Sequence, residues 1–149
     1  MAHPRAAEAA LGECRSLAAM APHPQRDQTY TREAVTVCGN VTVDYAGTPE
    51  AAQAGQMRED LRYTLAEKEF LNAEHYFRRD QYDPAILYYQ FVVNLYPDTE
   101  FAPRALLGLY KANLEIGYDD LAEEARARLL REYPESEAAT EIVASGNES

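Results

Sequence analysis

Tryptophan is absent from the 149 residues, cysteine occurs twice and histidine three times. Two cysteines, Cys14 and Cys38, cannot build a disulfide framework. They leave two readings: buried free thiols, the default for so few, or one bridge if the chain lives in an oxidising compartment. His3, His23 and His75 lie far apart and lack ligand spacing such as H-x-x-x-H, which argues against a metal centre. G-x-S-x-G, P-loop and dinucleotide glycine patterns are missing, and Cys14 has no identifiable activating base. These gaps exclude the common catalytic constellations, so the expectation is a protein that is not an enzyme, with no catalytic, cofactor or metal residues. Positive charge is also scarce: 14 Lys and Arg stand against 25 Asp and Glu, giving a net −11. The excess is greatest over residues 60–149, with 9 basic and 18 acidic side chains. Such a surface repels phosphate backbones and makes nucleic acid a poor partner. No run of 18 apolar residues is present to span a membrane as a helix. Residues Met1 to Glu8 contain no apolar core, so no signal peptide is expected at this start.

Ala, Leu and Tyr dominate the apolar set; there are 11 Tyr and 4 Phe. Ala and Leu favour helix, and Tyr suits helix interfaces that bury a ring and keep a hydroxyl wet. A repeat organises them. Ala34, Ala85 and Ala122 are each followed eleven residues later by tyrosine, in Tyr45-Ala46-Gly47-Thr48, Tyr96-Pro97-Asp98-Thr99 and Tyr133-Pro134-Glu135-Ser136. Proline cannot continue a helix, and Gly47 can take the left-handed conformation that ends one. Thr48, Thr99 and Ser136 then serve as N-caps for the next helix. Thr48 is followed by Pro49 and Glu50, a strong start signal.

Between these stops the apolar period is helical. Ala85, Tyr89, Val92 and Tyr96 form one stripe; Ala102, Ala105, Leu109, Ala112 and Ile116 form another; Ala122, Ala125, Leu129 and Tyr133 a third. The reading is all-α, with seven helices near 4–20, 28–45, 48–79, 82–96, 99–116, 118–133 and 136–145. The helix near 48–79 is unusually long, about 45 Å at 1.5 Å per residue. It explains why the first two tyrosine stops lie 51 residues apart and the last two only 37. Small residues (Ala73 with Ala85, Ala105 with Ala122) let paired helices approach, and Tyr76, Phe77, Tyr89 and Tyr96 fill the space beside them. Tandem TPR-like helical hairpins, about 4–45, 48–96 and 99–133, would stack with a final helix 136–145 into a short right-handed solenoid. This is one domain over 1–145, with 146–149 a flexible tail. The acidic pairs Asp119-Asp120 and Glu123-Glu124 fall in the first turns of a helix, where they complement its dipole.

The stretch from Leu65 to Ser136 resembles the outer-membrane β-barrel assembly lipoproteins, the BamD family. The words that carry the likeness are Leu65-Ala66-Glu67-Lys68-Glu69-Phe70, Ala73-Glu74-His75-Tyr76-Phe77-Arg78-Arg79, Tyr82-Asp83-Pro84-Ala85-Ile86 and Asn94-Leu95-Tyr96-Pro97-Asp98-Thr99. Upstream, Arg26-Asp27-Gln28-Thr29 and Thr31-Arg32-Glu33-Ala34 extend it. The resemblance implies a scaffold on the periplasmic face of the outer membrane, tethered by a lipidated cysteine. Its C-terminal repeats would hold the periplasmic domains of the central barrel subunit, and its N-terminal repeats would meet unfolded barrel substrates. Leu11-Gly12-Glu13-Cys14 is a poor lipobox, so the chain is expected to be a C-terminal portion or to carry a misplaced start. Some members have an arginine where this chain has Tyr88, so that arginine's contact does not transfer.

Arg79, Tyr82 and Tyr88 are the partner-binding candidates: Tyr88 lies off the Ala85–Tyr96 stripe, and Arg79 closes the long helix. Arg79 acting only on the helix C-terminus is the competing reading. Two other functions compete with the scaffold: a periplasmic TPR module in envelope or division work, and a module capturing peptide ends. The scarcity of basic residues after position 59 weakens the last.

Overall fold

The computed structural model describes residues 4–21 and 27–146, and within them every regular element is an α-helix. Seven helices follow in order: α1 (Pro4–Ala19), α2 (Thr29–Asp44), α3 (Pro49–Phe77), α4 (Tyr82–Leu95), α5 (Phe101–Glu115), α6 (Asp119–Glu132) and α7 (Glu137–Gly146). The all-α expectation therefore holds, each helix matching its stripe to within a few residues. Gly146, assigned to a flexible tail from sequence, is the last residue of α7, and 147–149 lie outside the described residues. Contacts gather the chain into two compact units, 1–68 and 69–149, the division falling inside α3; the sequence suggested a single domain over 1–145.

In the first unit α1 packs on α2. The core is Leu11, Cys14, Ala34, Cys38, Val41, Ala54 and Leu61, with Leu17, Val35, Val37 and Met57 against it. Cys14 and Cys38 are joined as a disulfide with Cα atoms 4.9 Å apart, and both are fully buried. The default of two free thiols is thus corrected. The 1.95 Å S–S bond tethers α1 to α2 across 24 residues of sequence. Met57 Sδ lies 3.9 Å from Cys14 Sγ; a cystine sulfur carries no proton, so this is packing between soft atoms rather than a hydrogen bond. Gln28 and Thr31 are buried at the start of α2, where the Thr31 hydroxyl donates to Gln28 Oε1, satisfying two polar groups that burial would otherwise penalise.

In the second unit α5 is the central element, packing against α4, α6 and α7. Ten of its fifteen residues are buried, which leaves its outer turns little more than Arg104, Lys111, Leu114 and Glu115 to expose. Tyr89 of α4 is 1 % exposed and lies over Gly108 of α5. A Cβ at 108 would sit 2.4–2.6 Å from the Tyr89 ring, so only glycine allows this approach. The small residues expected between paired helices, Ala73, Ala85, Ala105 and Ala122, are all buried.

The repeat is a structural repeat of hydrogen bonds. Tyr45, Tyr96 and Tyr133 are C-caps with similar backbone, φ −123°, −131° and −132°. The carbonyl of each accepts the N–H of the residue three on, at 3.1, 3.2 and 3.1 Å. It also accepts that residue's hydroxyl, Thr48, Thr99 or Ser136, at 2.6, 2.8 and 2.7 Å. The hydroxyl thus closes the turn backwards, a role the sequence did not suggest. Its forward role holds twice: Thr48 accepts from the N–H of Ala51 and Ser136 from that of Ala139, both at 3.1 Å. Thr99 is the exception and a correction. Here α5 starts later, after Glu100, with no side-chain cap, and Ala102 N–H bonds the Thr99 carbonyl instead. Gly47, at φ +86°, supplies the positive φ its turn requires.

The turns inside the second unit's hairpins share one design. After α5, Tyr118 N–H bonds Asn113 O and Gly117 N–H bonds Leu114 O, with Gly117 at φ +85°. After α3, Gln81 N–H bonds Tyr76 O and Asp80 N–H bonds Phe77 O, with Asp80 at φ +59°. Both are Schellman closures, one on glycine and one on an aspartate that tolerates the left-handed region.

Candidate functional site

Helix α4 is apolar on two sides. Ala85, Tyr89, Val92 and Val93 face the core, while Leu87, Phe91 and Leu95, spaced by four, are exposed. After Asp83 the helix carries no charged side chain. Large apolar side chains grouped on a surface mark docking sites more often than they occur by chance, and tyrosine and phenylalanine are enriched in interface cores.

The candidate residues surround this face. Tyr88 is half-buried, its ring stacked on Tyr76 of α3 at 5.6 Å and 10° and edge-on to Phe91 at 5.8 Å. It therefore does not simply point outward: one ring face is spent on Tyr76. Tyr76 in turn meets His75 edge-on at 5.4 Å. Arg79 Nη1 donates to His75 Nδ1 at 2.9 Å and to the His75 carbonyl at 3.1 Å. The guanidinium thus binds a terminal carbonyl of α3, the geometry expected of a cation stabilising a helix C-terminus. It remains exposed there.

Arg79 and Tyr88 are linked in this way through His75 and Tyr76 into one aromatic and cationic row. Tyr82 belongs elsewhere. Its ring is edge-on to Phe77 at 5.5 Å, and its hydroxyl donates to Asp80 Oδ1 at 3.0 Å. That hydrogen bond, followed by partial desolvation and the Asp80 charge, raises the Tyr82 pKa above the ordinary tyrosine value. The structure therefore joins two of the three candidates and sets the third at the first residue of α4. Sequence reasoning named Tyr76 only as a space-filler and passed over Phe91. The signal for Phe91 was the spacing Leu87, Phe91, Leu95, a second stripe on a helix whose first stripe was already assigned.

Behind this face, Tyr89 anchors α4. Its hydroxyl donates to Glu74 Oε1 at 2.8 Å, and burial, reinforced by the Glu74 carboxylate, pushes its pKa far above the ordinary value. Phe70 packs against Tyr89 and Phe101, with the Arg104 guanidinium 4.4 Å over its ring. Tyr133, whose pKa burial also raises, donates its hydroxyl to the Pro97 carbonyl at 2.6 Å, tying one tyrosine turn to the preceding one.

Among the described residues no group of three or more His, Cys, Asp or Glu is placed to hold a metal, and no helix is long and apolar enough to cross a membrane. His3 and His23 lie outside the described residues. Asp119 and Asp120 occupy the first turn of α6, as expected. The buried cystine suits an oxidising compartment such as the cell envelope.

No curated protein matches the chain. The profile of one family, YfiO, described as outer membrane lipoprotein, matches residues 3–129. That span takes in the cystine hairpin, the whole of α3 to α5 and most of α6, and on this evidence the chain belongs to the YfiO family of outer membrane lipoproteins.

Proposed function

We propose that the chain is a non-catalytic scaffold subunit of the outer-membrane β-barrel assembly machinery, holding the periplasmic domains of the central barrel subunit. The observation that carries this reading is the uncharged, exposed apolar side of α4, bordered by the Tyr76–Tyr88 stack and by Arg79. A rigid aromatic ledge with an arginine at its rim is what a protein partner binds: rings contribute buried area at small entropic cost, and the arginine sets orientation. Family membership and the BamD-like words from Leu65 to Thr99 support the same reading. On it, the protein faces the periplasm, works without a cofactor and meets the membrane through a lipid anchor rather than a spanning helix.

Arg79, Tyr82 and Tyr88 remain the contact residues of choice, now with Phe91 between Tyr88 and the exposed leucines. The test is titration of the barrel subunit's periplasmic domains against the wild type and an Arg79→Ala, Tyr82→Ala, Tyr88→Ala variant. Affinity is expected to fall at least tenfold with the helical circular dichroism unchanged. Wild-type affinity in that variant would rule the patch out, and no binding by the wild type would rule out the assembly role.

A further inference from the structure

Both cysteines of the chain fall in the first unit, Cys14 on α1 and Cys38 on α2, and neither has any exposed surface. Leu11, Ala34, Val41, Ala54 and Leu61 share their cluster, and Met57 Sδ lies against Cys14 Sγ at 3.9 Å. Making or breaking a disulfide by exchange takes an entering sulfur that reaches one of the pair directly, so the rate depends on access. While α1 lies on α2, no entering thiolate has that access. The hairpin must open for the bond to change. The cluster also shows why the bond is needed. None of its seven buried members is an aromatic ring, and two of them are the cysteines. A core so small, in a unit confined to residues 1–68, falls in the size range where crosslinks commonly hold a fold. A crosslink across 24 residues raises the closed-to-open ratio about a hundredfold. The second unit holds no cysteine and packs rings instead, Phe70 against Tyr89 and Phe101.

We propose that the Cys14–Cys38 pair is a self-sealing latch, oxidised by thiol–disulfide exchange while the α1–α2 hairpin is open and then shut away from reductants when it closes. The electron acceptor is an exchange-competent disulfide. One cysteine thiolate attacks a sulfur of that oxidant, forming a mixed disulfide and releasing the oxidant's first thiolate. The second cysteine thiolate attacks the mixed disulfide at the first cysteine's sulfur and releases the oxidant's other thiolate. The two cysteine protons are lost and two electrons reduce the oxidant's disulfide to two thiols, so the exchange balances. The reduced chain keeps its second unit folded and its first hairpin open. In a reducing compartment the first unit therefore stays unfinished, and in an oxidising one it closes and remains closed. The latch concerns residues 1–68, apart from the Tyr76–Tyr88 ledge, and stands independently of the barrel-assembly reading.

The test uses the full chain, isotope-labelled for amide NMR, with dithiothreitol as reductant and glutathione disulfide as oxidant. Without denaturant, dithiothreitol is expected to open the cystine at least about a hundredfold more slowly than it reduces glutathione disulfide. Urea should raise that rate in step with amide exchange in α1 and α2, because both wait for the same opening. Once the bond is reduced, α1 and α2 should lose protection about a hundredfold while α5 keeps its own. Glutathione disulfide should then restore both the cystine and the protection, which separates an open hairpin from an irreversibly misfolded one. Reduction as fast as that of glutathione disulfide, or a rate indifferent to urea, would mean that the sulfurs are reached in the closed hairpin. Equal protection of α1 and α2 in the oxidised and reduced chains would mean that the hairpin closes without the bond. Either result, or loss of protection in α5 on reduction, would overturn the proposal.

Discussion

The two compact units solve one problem, keeping consecutive helices side by side, with different chemistry. In residues 1–68 a cystine crosses between α1 and α2 amid small side chains, Ala34, Val41 and Ala54. In residues 69–149 the same task falls to rings and close approach: Tyr89 on Gly108, Phe70 between Tyr89 and Phe101, Tyr133 tied to Pro97. A covalent crosslink acts chiefly by restricting the unfolded chain, so it stabilises without demanding a tight fit. Ring packing acts only where shapes match. The first unit should therefore respond to reductant and tolerate repacking, and the second should do the reverse.

The largest expected effect comes from removing the crosslink. Replacing Cys14 and Cys38 by alanine, or reducing them in denaturant before refolding, should cost about 3 kcal/mol for a loop of this length. Amide hydrogen exchange should locate the loss in α1 and α2, with protection of α5 unchanged. A matching loss of protection in α5 would show that the crosslink serves the whole chain and not one unit.

Next is Gly108→Ala. Its new methyl meets the Tyr89 ring, and overpacking of this kind costs about 1–3 kcal/mol. The double variant with Tyr89→Leu should be less destabilised than the two single losses added together; strict additivity in a denaturant series would mean that ring and glycine do not interact.

The smallest effects sharpen the comparison among the tyrosine turns. Thr48→Ala and Ser136→Ala each lose a cap and a backward bond, about 1 kcal/mol or somewhat more, while Thr99→Ala loses only the backward bond and should cost less. Asp80→Gly should leave stability within about 0.5 kcal/mol, relief of the left-handed strain offsetting the freer unfolded chain. Asp80→Val should lose clearly more, since a branched residue is poorly suited to φ +59°. Urea midpoints at constant slope are sufficient to rank all five.

Much of the fold was legible in the chain because the signals were local. Stripe spacing placed the helices, and Pro97, Pro134 and Gly47 ended them. What escaped depended on partners distant in sequence. Nothing near Cys14 or Cys38 states that their Cα atoms come to 4.9 Å; that follows from α1 and α2 packing in one particular register. α5 starts late, at Phe101, which denies Thr99 its cap; Phe101 is buried against Phe70, thirty-one positions earlier in the chain. The candidate site was legible in part. Tyr88 was recognised as lying off the core stripe, yet its stacking on Tyr76 depends on how α3 and α4 meet.

Each tyrosine joint closes its own turn within four residues: one carbonyl holds both the amide and the hydroxyl of the residue three positions on. A joint whose turn is closed by its own hydrogen bonds is a natural splice point, and the Tyr133 hydroxyl on the Pro97 carbonyl adds a tie from one joint to the joint before it. A 37-residue cassette cut from Pro97 to Tyr133 would be copied in tandem with the turn at each seam already closed. Gene duplication at such seams would change how far the array extends without asking any existing helix to repack its ends.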